Sequence, residues 1–385
     1  MSTPCVCYIC QDESAAAPIP TGCACRGGAN MCHSRCLAEF NKAHQERCGL
    51  DPLQRYFLWA KCRICKQDHS GRMHVDLARH WVQDCDDLVL PEDDPHRLFA
   101  RFFEANGKVE TTQFAEAEKM YRDILSKMDN NHLVTLEQQT QVRCNFAHLL
   151  TMQEKSDEAL HIYQELYDLM VRSEGPNCDN ALTLVQNMAA IDMERGRMQQ
   201  AAEKFRSVID KKSQETSFAV GLQISKLHLA DCLCSLSGWS EAVAISKEVI
   251  EATTKNLGPS HKTTLAAKKT LARAYFAQDT PRGIQRAHDI ILPVIQESAR
   301  VLEPAGYNLH HLDHLQILAV CLWRLGKFED AYQAQKDLCK RFEHTKDVDP
   351  DFVQTSRDLC VFMSQNVKQK FKTPPELEVP PPVFS

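Results

Sequence analysis

Eleven of the 18 cysteines in this 385-residue chain fall within the first 85 residues, and the other seven are scattered through the rest. The crowded head has a regular spacing: Cys7-x2-Cys10, twelve residues, Cys23-x-Cys25, seven residues, His33-x2-Cys36, twenty-five residues, then Cys62-x2-Cys65. Eight thiol and imidazole donors are enough for two tetrahedral sites, since a Cys-x2-Cys loop lets two sulfurs converge at ~2.3 Å on one ion. Thiolate and imidazole donors favour zinc, and four filled positions leave no place for a reactive water, so two structural Zn2+ ions are expected. Cys5 and Cys32 adjoin the ligands and are the alternatives to them. Cys5 gives the wrong loop to Cys10, and Cys32 displaces the His33-x2-Cys36 pair.

Metal is favoured over disulfides by the reading of the chain's setting. The opening MSTPCVCYICQDES has neither the basic head nor the apolar stretch of a secretory signal, and no run of about 18 apolar residues follows. An intracellular protein is expected, cytoplasmic with the nucleus left open, whose thiols stay reduced. The net charge of -6 argues against a globally basic binder of nucleic acid or membrane surfaces. Within residues 1–80 the side chains give +3, which seven thiolates and two zinc ions bring to about zero. Only 14 glycines occur, fewer than the turns of a sheet-rich protein need, so a mostly α fold is expected.

Composition divides the chain into a zinc-binding head (1–80), an acidic linker (81–95), helical repeats (96–371) and a Pro-rich tail (372–385). The linker, QDCDDLVLPEDDPH, carries six acids and two prolines and reads as a solvated connection. The tail carries five prolines in its last 13 residues and cannot continue a helix.

The middle repeats. An alanine recurs at Ala117, Ala159, Ala201, Ala242, Ala287 and Ala331, in steps of 41 to 45 residues. Twelve residues upstream of four of them stands another alanine, at Ala147, Ala189, Ala230 and Ala319; Ala272 stands fifteen upstream of Ala287, where QDTPRGIQRA lengthens the turn. Facing alanines let two antiparallel helices approach closely across a short turn, with Gly196 and Gly326 supplying the break. Four residues beyond the second alanine a large residue, Tyr121, Tyr163, Phe205 or Ile291, lies on the same helix face and fills the hairpin, whereas Ser246 and Gln335 depart from this. Arg101 to Gly107 gives no clean first helix for the earliest unit.

These small, large and small positions resemble the tetratricopeptide repeat, and the ~42-residue period with LGPSHKTTLAAKKTLARAY is similar to the kinesin light chain variety. The resemblance covers about residues 96 to 345, with a cap helix expected near 350 to 371. It implies an α-solenoid whose first helices line a surface for an extended peptide or partner helix. Asn145, Asn187 and His228, each two before a packing alanine, are the expected peptide contacts. Lys269, Arg273 and Arg324 add positive charge and point to an acidic ligand; the plainer reading of each residue is a solvated helix face.

The order of the eight donors also fits a histone-reading PHD finger, but there two to four residues usually separate the third and fourth ligands. CYICQDE, GCACRGG, CHSRCLAEF and CRICKQDHSGRM instead resemble the RING-CH (RING-variant) ubiquitin ligases, over roughly residues 5 to 75. The resemblance implies a cross-brace, with Cys7, Cys10, His33 and Cys36 on one zinc and Cys23, Cys25, Cys62 and Cys65 on the other. It also implies that Ile9, Phe40, Arg63 and Ile64 meet a ubiquitin-conjugating enzyme and that Lys66 reaches the bound ubiquitin. Phe40 stands where the family often has tryptophan, and it could equally be a core residue. No nucleophile–base pair, phosphate loop or HExxH is present.

The expected function is a ubiquitin-protein ligase that acts by positioning a conjugating enzyme and recruits protein substrates through its repeats, with no catalytic residue of its own. The alternative is a non-catalytic adaptor with two protein-binding surfaces. The expected partners are a conjugating enzyme and a protein or peptide substrate, without nucleic acid or a membrane span.

Overall fold

The computed structural model describes residues 6–12, 17–21, 23, 25, 31–111, 113–213, 219–302, 309–342 and 350–369. Cys5 and the Pro-rich tail at 372–385 lie outside the described residues. The chain divides into two compact units, Met1–Ile162 with Val301–Gly306, and Tyr163–Arg300 with Tyr307–Ser385. The fold is mostly α: a small cysteine-rich head followed by helical hairpins of the tetratricopeptide type.

In the head, strands β1 (Ile19–Pro20) and β2 (Met31–Cys32) pair antiparallel, and helices α1 (Ser34–Cys48), α2 (Pro52–Ala60) and α3 (Gly71–Asp87) follow. Asp51 starts α2 with a capping box, its side chain accepting from the backbone N–H groups of Leu53 and Gln54 while the Gln54 side chain accepts from the Asp51 N–H. So small a head has few apolar residues to bury, and it concentrates them. The indoles of Trp59 and Trp81 stack at 5.3 Å, 7° from parallel, and both are almost wholly buried. The Trp59 indole N–H donates to Gln45 Oε1 at 3.0 Å, so the buried ring leaves no orphan donor.

The acidic connection expected at 81–95 is helical up to Asp87, and only residues 88–94 form a non-helical link. α3 carries the chain to Asp87, with Trp81 and Cys85 buried on it, and α4 (Pro95–Glu110) starts at Pro95 with Asp94 as its cap. The acids that read as solvated are partly engaged: Asp84 accepts from Lys42 and Gln45, and Asp86 accepts from Arg97 at 2.6 Å. No clean helix was expected over Arg101 to Gly107, yet these residues lie in α4. Asn106-Gly107 looks like a turn, but Gly107 is helical, and a Cβ there would come within 3.3 Å of the His74 ring. The glycine is therefore explained by the close approach of α3, not by a break. His74 stacks on Phe103 at 4.1 Å, and Tyr56 of α2 stacks on Phe102 at 4.9 Å. The head and the first hairpin helix thus share one core.

The hairpins continue with α5 (Phe114–Met128), α6 (Leu136–Met152), α7 (Ser156–Glu174), α8 (Asp179–Glu194), α9 (Met198–Lys212), α10 (Val220–Ser235) and α11 (Trp239–Leu257). They end with α12 (Lys262–Phe276), α13 (Pro281–Leu302), α14 (Leu309–Arg324), α15 (Phe328–Phe342) and the cap α16 (Pro350–Gln369). Every alanine of the expected seams has no exposed surface, and Ala105, twelve before Ala117, completes the set on α4. A methyl group is all that fits where the two backbones approach.

The turns obey a rule of their own. The residue five before the second alanine has a left-handed backbone at Glu154 (φ 60°), Gly196 (72°), Ser237 (63°) and Gly326 (76°). In the lengthened turn the same role falls to Asp279 (49°). The large-residue slot is filled and buried at Tyr121, Phe205 and Ile291, and also at the exceptions Ser246 and Gln335. Gln335 is polar because its amide donates to the Ser356 carbonyl of α16 at 3.0 Å.

Candidate metal centre and adjoining surfaces

Cys7, Cys10, His33 and Cys36 form one cluster and Cys23, Cys25, Cys62 and Cys65 a second, the donor atoms of each lying within 4.8 Å of one another. The interleaved grouping is the one the resemblance implied. The two Cys-x2-Cys loops are built alike. In one, the Gln11 N–H donates to the Cys7 carbonyl at 2.9 Å; in the other, the Lys66 N–H donates to the Cys62 carbonyl at 2.8 Å. Gln11 (φ 55°) and Lys66 (φ 61°) both adopt the left-handed region, which costs a non-glycine residue about 1–2 kcal/mol. The turn aims two sulfurs at one point. His33 closes the first cluster from the N-cap position of α1, whose first turn carries Cys36.

The separations suit a tetrahedral ion. Zinc at ~2.3 Å from sulfur and ~2.0 Å from nitrogen gives S···S edges of ~3.8 Å and S···N edges of ~3.5 Å. Cys25 and Cys62 sulfurs lie 3.7 Å apart, and His33 Nδ1 lies 3.4 Å from Cys10 and 3.6 Å from Cys36. Nδ1 is therefore the nitrogen that faces the cluster. Cys23, Cys25 and Cys62 are buried. Burial, then the charges of Cys62 and Cys65, pushes the Cys25 thiol up to about 12. Four sulfurs in one cluster and three sulfurs with an imidazole in the other lie at separations a bound cation would bridge, so either cluster could hold a metal ion.

Groups around the ligands were not legible in the spacing. The Thr21 hydroxyl lies 3.0 Å from the Cys23 sulfur, and the His33 backbone N–H donates to Cys7 Sγ at 3.4 Å. Such contacts orient and stabilise thiolate ligands. Cys32, the alternative to His33 or Cys36, is instead fully buried in β2.

Of the residues expected to meet a conjugating enzyme, Phe40 is 37% exposed and Ile64 is 66% exposed, and the Arg63 guanidinium sits over the Phe40 ring at 5.0 Å. Phe40 and the last metal loop therefore meet in one surface patch. Lys66 is exposed and Ile9 half-buried.

Asn145 donates weakly to Asn106 Oδ1 at 3.4 Å, and Asn106 also joins Tyr56 and Tyr121, a network that spacing alone did not reveal. In the second unit Asn187 is half-buried, and the His228 ring stacks on Phe205 at 5.2 Å. Burial holds the His228 imidazole below its ordinary value, with Lys269 adding to the effect. Lys269 is buried. Arg273 pairs with Asp231 at 2.6 Å and Arg324 pairs with Asp279, so much of the positive charge expected for an acidic ligand is already balanced.

The sequence matches no protein-family model and no curated protein. Among solved structures, Rap protein complexed with competence and sporulation factor is similar with a TM-score of 0.50 and 12% identity, over 88% of this chain and 96% of that one. A tetratricopeptide repeat protein from Parabacteroides merdae has a TM-score of 0.47 and 12% identity, over 87% and 100%. A Podosopora anserina protein of nearly identical TPR-like repeats, described as a kinesin light chain, has 0.42 and 19%, over 55% and 98%. These likenesses are of fold. Among the described residues no helix is long and apolar enough to cross a membrane.

Proposed function

We propose that this protein is a zinc-dependent RING-type ubiquitin-protein ligase whose helical hairpins recruit protein substrates. The observation that carries the reading is the interleaved pair of four-donor clusters with the Phe40–Arg63–Ile64 patch exposed beside them. The donor sets suit zinc, which would hold the loops in place and leave the chemistry to the partner enzyme's thioester. This chain's own residues would bind the conjugating enzyme at the patch and restrict its ubiquitin to reactive orientations, with Lys66 against the ubiquitin. Substrate held by the repeats near Asn187, His228 and Lys269 gains effective concentration.

The test is ubiquitin transfer by the full chain with a panel of conjugating enzymes. Wild type should autoubiquitinate with at least one, and Ile64→Ala should lower the rate by about tenfold or more while two zinc ions per chain remain. Unchanged transfer by Ile64→Ala would remove the patch from the mechanism. Absence of transfer with every enzyme would leave a zinc-stapled adaptor as the function.

A further inference from the structure

Outside the head, two cysteines meet where the cap helix seals the last hairpin. Cys339 is on α15 and Cys360 on α16, and each is partly exposed as a free thiol. The Cys339 sulfur lies 3.5 Å from the Ser356 carbonyl oxygen of α16. Cys360 follows Ser356 by four residues, one helical turn, so its side chain rises from the same face and leans back toward that carbonyl. Burial pushes the Cys339 thiol up to about 12, and the Cys360 thiol adds to this through charge and a hydrogen bond. The neighbouring contacts hold the two helices in register: Gln335 donates to the same Ser356 carbonyl, and Leu338, Leu359 and Met363 are buried around it. Phe362 packs against Trp323 at 5.6 Å.

The geometry points to Cys339 and Cys360 as a reversible peroxide-responsive dithiol that fastens the cap helix to the last hairpin. In the first step Cys360 sulfur attacks a hydroperoxide oxygen, the O–O bond breaks, and Cys360 becomes a sulfenic acid while the thiol proton leaves with the departing oxygen as water or an alcohol. In the second, Cys339 sulfur attacks the Cys360 sulfur, the S–O bond breaks, and hydroxide takes the Cys339 proton and leaves as water. Two thiols are oxidised to one disulfide and one peroxide is reduced. Cys339 takes the resolving role because its thiol is the one tucked against a carbonyl. The link joins positions 21 residues apart, so α16 can no longer peel from α15 when it frays.

The experiment treats the zinc-loaded full chain with one equivalent of hydrogen peroxide, then digests it without reductant. The expected product is a peptide pair joining Cys339 to Cys360, removed by dithiothreitol, with amide exchange in α16 slowed by about tenfold or more while the link is present. Cys339→Ser should give no link and a Cys360 sulfenic acid trapped by dimedone, whereas Cys360→Ser should give neither. The site is overturned if both cysteines still alkylate freely while exposed Cys10 or Cys48 is oxidised. A link that forms without slowing exchange in α16 would overturn the fastening.

Discussion

The head and the hairpins both hold short segments of chain together, but by opposite means. In the head, residues far apart in sequence converge through eight side-chain donors, and the apolar core beneath them is little more than the Trp59–Trp81 stack and its neighbours. In the hairpins, the closest approaches are made by small side chains: seam alanines bury no more than a methyl and let helix backbones close on one another. On the proposed reading the first depends on a metal ion that the chain does not encode; the second depends only on sequence. A domain of ~70 residues with few large apolar groups needs such a staple, whereas stacked hairpins gain core with each added unit.

The largest test of this contrast is removal of metal. Each structural zinc is worth ~10–16 kcal/mol of folding free energy in small domains. Chelation, or Cys62→Ser, should unfold the head while the hairpins of the second unit keep their helical circular dichroism; loss of helicity throughout would show that the contrast is false. Because α3 and α4 share a core, the first hairpin should lose protection along with the head, which hydrogen exchange measures directly. Next in size, Trp81→Ala and Phe205→Ala should each cost ~3–5 kcal/mol by denaturant titration. The Trp81 cost should shrink after chelation and the Phe205 cost should not.

Backbone effects come next. Gly196→Ala places a side chain at φ 72° and should destabilise by ~1–2 kcal/mol, while Ser237→Gly at the equivalent turn should stabilise by up to ~1 kcal/mol. Opposite signs at equivalent positions would confirm the left-handed turn rule, and equal signs would break it. The smallest effect is electrostatic. Hydrogen bonds from Lys155 and Arg122 hold the Glu118 carboxyl down at about 2. Its lowered value makes its contribution fully present above the ordinary carboxylate value and lost as pH falls toward 2. With partners that are 43% and 50% exposed, Glu118→Gln should cost no more than ~1 kcal/mol at pH 7, and the cost should fade as pH falls through 2, read from stability against pH.

The repeats were legible because a seam of close-packed helices admits few residue types, so alanine at a fixed interval is a strong signal. The donors were legible for a similar reason: metal geometry limits the spacing. What escaped was whatever depended on partners distant in sequence. Asp84 and Asp86 read as solvated charges in the sequence because nothing nearby in the chain announces that Lys42 and Arg97 face them. Arg101 to Gly107 gives no clean helix in the sequence because the His74 ring that leaves no room for a Cβ at Gly107 lies on another helix. Ala105 was the available signal, twelve residues before Ala117 like its counterparts. Asn145 fitted a ligand-contact pattern, and its link to Asn106 shows that the same amide also has a place within the fold.

The two helices that reach into the expected linker also bear on how such a chain can be inherited. Zinc modules and repeat arrays are commonly pictured as cassettes that recombination joins through tolerant spacers. Here a crossover within α3 or α4, or in the short connection between them, would separate Trp81 from Trp59 or His74 from Phe103. The viable seams lie farther along, between later hairpins, so the module and its first repeat would travel through evolution as one heritable block.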